Sequence, residues 1–164
     1  MHEEILKRLS QARIAQRIAF LVALCIAIVL ATAAIGKFFY PTEFFKIFDQ
    51  IISGVEVVFI CIIFFFRKNW KTWVGASLLF SVWSGYALFW YCLKLPCGCM
   101  GSMLNIPTLL SITLDGLFFT SSLFMSYLLG ANKQTLYLSF LVGLFLSLGG
   151  FALGEAVYRY FVLV

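Results

Sequence analysis

The chain has 164 residues, 63% of them hydrophobic and 12% charged, against about 25% charged in an average soluble protein. Its mean hydropathy is +1.01, which excludes a soluble domain and leaves room for one membrane bundle. The net charge of +5 does not mark a nucleic-acid binder, because no basic stripe with interleaved aromatics is present; in membrane proteins Lys and Arg chiefly set orientation.

Residues 1–17 read as an amphipathic basic helix. Ile5, Leu6, Leu9, Ala12 and Ile14 oppose Lys7, Arg8, Arg13 and Arg17, a pattern expected to lie on the cytoplasmic headgroups. The charged stretch is long for a signal peptide, so no cleavage is expected. Five apolar segments follow, at residues 18–36, 50–66, 73–93, 107–130 and 136–158. A span needs about 20 apolar residues, so the second should borrow from Phe44 to Phe48. Pro107 suits the first turn of a helix. In the last segment Gly143, Ser147, Gly150 and Gly154 recur at three- or four-residue spacing, the pattern of a close-packing face in lipid. The expected fold is an all-α integral membrane protein: four core transmembrane helices, a fifth, and an N-terminal interfacial helix.

With the N-terminus inside, the inner flanks hold eight Lys and Arg and the outer flanks four. The positive-inside rule then puts the N-terminus in the cytoplasm and the loop after the third segment outside. That loop reads Leu95-Pro96-Cys97-Gly98-Cys99-Met100-Gly101-Ser102. Two thiols one residue apart, with glycines to supply unusual backbone angles, can close a small disulfide ring. A ring that small is expected to be strained, and strained disulfides are the oxidising, labile or catalytic kind. The outer side is also the oxidising side, where a disulfide persists. Of the five cysteines, Cys25 and Cys61 fall within apolar segments and read as small hydrophobes. Cys92, five residues before Cys97, is the one thiol near enough to relay electrons.

Charged residues inside spans are costly and are functional candidates by default. Lys37, Glu56, Asp115 and Glu155 all fall in the outer half of the bilayer when the segments are threaded alternately. A cation near a thiol lowers its pKa, and a carboxylate can take the released proton. Lys37, Glu56 and Asp115 are therefore candidates for proton transfer or thiol tuning. The structural alternatives are that Lys37 snorkels or pairs with one of the two carboxylates, and that Glu155 pairs with Arg159 four residues on. Trp83, Tyr86, Trp90 and Tyr91 crowd the outer end of the third segment. They read either as an interfacial aromatic belt or as a slot for a quinone ring. No metal site is expected, since the loop lacks a fourth ligand beside Cys92, Cys97 and Cys99 and the lone His2 lies on the inner side.

The chain resembles the MauE/DoxX-like family of redox-associated membrane proteins. The resemblance rests on Gly36-Lys37 closing the first span, Pro41 and Phe44/Phe45 in the next loop, and Glu56 early in the second span. It rests further on the Cys97-Gly98-Cys99-Met100-Gly101 loop, similar to the family's Cys-Gly-Cys-Phe-Gly, with a span soon after it. Met100 stands where Phe is usual, Pro96 where an acidic residue often precedes the first Cys, and Asp115 in a region where Arg-Asn is expected. The likeness covers about residues 20–130 and leaves out the N-terminal helix and the fifth segment, so the expected division is a cytoplasmic helix at 1–17, a MauE/DoxX-like four-helix core at 18–130 with an outward Cys-Gly-Cys loop, and an extra transmembrane segment at 131–164.

The resemblance implies a role in making or maintaining disulfides in exported proteins beside a thioredoxin-like partner. The function expected is thus a multi-pass thiol–disulfide redox protein of the bacterial inner membrane. It would act through Cys97 and Cys99 on a thioredoxin-like partner or exported client, with a quinone as a conceivable acceptor. The alternative is an accessory subunit of a larger membrane complex, in which the Cys97–Cys99 link is a static clip. A small transporter ranks third, because the paired broken helices of such proteins are missing from the pattern.

Overall fold

From Ile18 to Ile35 nearly every residue is apolar, and no proline interrupts the run, so one helix can continue from the polar N-terminal segment into the first span. It does: α1 runs unbroken over His2–Phe39. The computed structural model describes the backbone of residues 2–41, 46–95 and 107–162, and the side chains of residues 12–41, 46–95 and 107–160. The remaining helices are α2 (Lys46–Phe66), α3 (Trp70–Cys92), α4 (Thr108–Leu128) and α5 (Lys133–Val162). All five are long and apolar enough to cross a membrane. Their apolar length, with many large hydrophobic side chains turned outward, fits a bilayer as solvent, and the chain is read here as an all-α, multi-pass membrane protein.

Two helices are longer than a bilayer needs. At about 1.5 Å per residue, the 38 residues of α1 extend about 57 Å, against a hydrocarbon thickness of about 30 Å. The polar first turns, expected as a separate surface helix, belong to the same helix as the first span. Similarly α5 is one continuous helix of 30 residues, not a span followed by a separate outer helix. α2 begins at Lys46, so the short second segment gains its length from Lys46 to Asp49; Phe44 and Phe45 lie outside the described residues.

The helix ends follow their sequences. Asn69 caps α3, its side chain accepting from the Lys71 N–H at 3.0 Å, and Asn132 accepts from the Thr135 N–H to cap α5. α4 closes in a Schellman motif: Ala131 N–H bonds Ser126 O and Gly130 N–H bonds Tyr127 O, with Gly130 at φ 103. α3 closes the same way through Leu95 and Trp90, and Lys94 and Tyr91. There the left-handed position is held by Lys94, at φ 56.

α3 is the hub, packing along both α4 and α5, while α1 packs chiefly on α2. Small residues make these contacts close, as expected where lipid supplies no hydrophobic drive between helices. α1 buries Ala19, Ala23, Ala27 and Ala34 along one face. Between α3 and α5 the backbones nearly touch: a Cβ on Gly85 would sit 1.8 Å from Ser147 O, and one on Gly150 1.9 Å from Val82 O. The core has two parts. One gathers Ala23, Ile26, Ile63, Trp73, Phe80 and Met125 from α1 to α4. The other gathers Ala87, Phe89, Trp90 and Val157, with Phe48, Phe151 and Tyr158 against them.

Candidate functional site

Lys37 stands in the last turn of α1, where the helix dipole favours a cation. It is 5% exposed, Glu56 on α2 is 3% exposed, and the two form a buried ion pair. One turn before Glu56, the Ser53 hydroxyl donates to Ala34 O at 2.9 Å. That bond fixes the α1–α2 register, because Ala34 and Ser53 lie one turn from Lys37 and Glu56 on the facing sides of the two helices. Oε1 of Glu56 accepts from Lys37, while Oε2 is buried with no hydrogen-bond partner among the described residues.

Two further carboxyl groups stand around this pair. Asp115 on α4 is half-buried and within electrostatic reach of both Lys37 and Glu56. Asp49, in the first turn of α2, is within reach of Glu56 and of Tyr86 on α3. The Lys37 ammonium group thus pairs with Glu56, with the Asp49 and Asp115 carboxyl groups in its neighbourhood. A proton arriving here has carboxylate oxygen to bind, Oε2 of Glu56 foremost, so the set can store or pass a proton. Lys37, Glu56 and Asp115 were singled out in the sequence and do come together. Asp49 and Ser53 were not, although Ser53 lies three residues, and Asp49 seven, before Glu56 on the same helix face.

The thiols divide differently. Cys92, in the last turn of α3, is exposed, as are Cys25 and Cys61 on α1 and α2, and none of the three has a disulfide partner among the described residues. Cys97 and Cys99 lie outside the described residues. What is described is the frame of their loop. The Thr108 hydroxyl, at the start of α4, donates to Leu95 O at 3.0 Å, so the chain leaves α3 and re-enters α4 at one point. The alternating course of the helices sets this point at the same end of the bundle as Lys37 and Asp49.

The four aromatics do not line one slot. Trp83 packs on Phe80, with ring centroids 5.7 Å apart. Tyr86 and Trp90 pack on each other at 6.0 Å, Tyr86 also on Phe48 and Trp90 on Tyr158. Tyr91 points away and is exposed. Phe48 from α2 and Tyr158 from α5 thus stand against the Tyr86 and Trp90 rings. α5 brought side chains to a position that the sequence assigned to α3 alone.

Glu155 and Arg159 form an exposed pair on α5 at 2.6 Å, outside the buried cluster. Among the described residues no group of three or more His, Cys, Asp and Glu side chains is arranged to hold a metal ion. No family model matches the chain, and neither a curated protein nor a solved structure is detectably similar to it.

Proposed function

We propose that the protein is a thiol–disulfide exchange protein of the bacterial inner membrane, with Cys97 and Cys99 as its reacting pair and their loop on the outer side. The observation that carries this reading is a Cys-Gly-Cys sequence slung between helix ends tied by the Thr108–Leu95 bond, at the end of the bundle that holds the Lys37–Glu56–Asp115 cluster. The likeness of the loop and of Lys37 and Glu56 to the MauE/DoxX-like pattern supports it further.

In the exchange, a thiolate of an exported client attacks one sulfur of the Cys97–Cys99 disulfide, and the other sulfur leaves as a thiolate. The client's second thiolate then attacks the mixed disulfide. The client departs oxidised by two electrons, and Cys97 and Cys99 are left as a dithiol. Exchange in the same sense with the disulfide of a thioredoxin-like partner returns the pair to the oxidised state and leaves the partner's thiols reduced. Protons bound by the departing thiolates and released by the attacking thiols balance, and the carboxyl groups around Lys37 buffer them locally.

The rival reading, an accessory subunit of a larger complex, would use the Gly143, Gly150 and Gly154 face to contact other subunits. Gly150 and Gly154 already lie against Val82 and Phe89 of α3, and Gly143 against Ser81 and Phe119, so that face is occupied within the chain. Thiol trapping by mass shift in native membranes, before and after mild reductant, is the test. Cys97 and Cys99 are expected to cycle between disulfide and dithiol, and a Cys97→Ser/Cys99→Ser variant to lose client oxidation while Cys25→Ser keeps it. A pair that stays linked under mild reductant, or client oxidation retained by the double variant, would overturn the reading.

A further inference from the structure

At the end of the bundle opposite the cysteine loop, α1 and the α2–α3 turn enclose a groove lined by Arg13, Arg17, Phe20, Leu21, Arg67 and Lys68. Four cations meet there on an apolar floor, and among the described residues no carboxylate lines it. None of Arg13, Arg17 or Lys68 takes part in an ion pair among the described residues. Arg67 is held in place. Its guanidinium lies 5.5 Å from the Phe20 ring and 5.7 Å from the Phe64 ring, and it donates to Phe64 O. The Arg67 carbonyl in turn accepts from Trp73 Nε1 at 2.7 Å.

Cations that only orient a membrane protein need no fixed geometry, since their number in the loop suffices. Here one guanidinium is held between two helices, with three further cations around it. We propose that this groove is a binding site for an anionic phospholipid, with the phosphodiester against Arg17 and Arg67 and an acyl chain running along α1. The commitment to a lipid over a free phosphate comes from the floor. Leu21 in the groove is 59% exposed, and Leu24 and Ile28 continue the exposed apolar track into the span at 36% and 58%. A phosphate followed by hydrocarbon matches that order of cations and apolar side chains, and basic pockets of this kind between membrane helices hold acidic headgroups.

The full-length protein in non-ionic detergent, titrated with phosphatidylglycerol and read by native mass spectrometry, tests the site. Each juxtamembrane cation contributes roughly fivefold to the affinity for an acidic lipid. Arg17→Gln/Arg67→Gln should therefore weaken binding about 25-fold, and Arg13→Gln alone about fivefold. Lys133→Gln, a cation outside the groove, should leave it unchanged. Phosphatidylcholine should bind far more weakly, and millimolar inorganic phosphate should not displace the lipid. Equal binding of phosphatidylcholine, displacement by inorganic phosphate, or full affinity in the Arg13→Gln variant would each overturn the proposal. The last arm decides the matter even if the double variant fails to fold, because Arg13 is exposed and supports no packing.

Discussion

Replacing Lys37 by Met tests the buried ion pair most directly. The substitution keeps most of the side chain's apolar stem but removes the ammonium group that Glu56 Oε1 accepts from, and Oε2 already has no hydrogen-bond partner among the described residues. Glu56, 3% exposed, would then be a buried carboxylate without its cation, with Asp49 nearby to repel it. Breaking a buried pair by removing one partner costs about 3–5 kcal/mol. For a chain of this size that corresponds to a fall in Tm on the order of 10 °C. Removing both charges with Lys37→Met/Glu56→Met should recover most of the loss, since an apolar replacement of a buried pair is often neutral or stabilising. Thermal unfolding of the purified protein, followed by tryptophan fluorescence, closes the double-mutant cycle. A cost below 1 kcal/mol for Lys37→Met, or a double variant no more stable than the single, would refute the account of the pair as a buried, mutually dependent unit.

Two other expectations concern the backbone. Gly150→Ala puts a methyl group where Val82 O lies 1.9 Å away, whereas Gly149→Ala meets nothing within 4 Å; the first should lower Tm sharply, and the second should be neutral or stabilising by up to about 1 kcal/mol. Lys94 holds the left-handed position at the end of α3, so Lys94→Gly should stabilise the protein by about 1 kcal/mol, read in the same melting assay, and Lys94→Val should destabilise it.

Much of this architecture was legible as hydropathy. Five long apolar segments separated by charged turns can hardly be anything but membrane helices, and the charge set of Lys37, Glu56 and Asp115 stood out because charge is rare in such segments. The pairing was less legible. Lys37 could have reached either Glu56 or Asp115, and the choice depends on the register of α1 against α2, which the Ser53–Ala34 bond sets and no spacing rule reveals. The glycines of α5 announced a close contact but not that α3 was its partner. The partners of the aromatics were hidden for a related reason. Successive helical residues turn about 100°, which sends Tyr91 away from Trp90, and Phe48 and Tyr158 arrive from helices distant in sequence. The groove around Arg67 escaped notice because its cations come from two parts of the chain and each, taken alone, reads as a topological signal.

The pairing of Lys37 with Glu56 also has a meaning in time. The two residues are nineteen apart, on consecutive helices that are both made before α3, so their charges can meet before α3 has left the ribosome. The α1–α2 hairpin can therefore enter the bilayer as one neutralised unit rather than as two helices each carrying a naked charge. Asp115 arrives later on α4 and joins a site whose register is already set. Insertion order and charge balance are thus coupled in the first sixty-six residues of the chain.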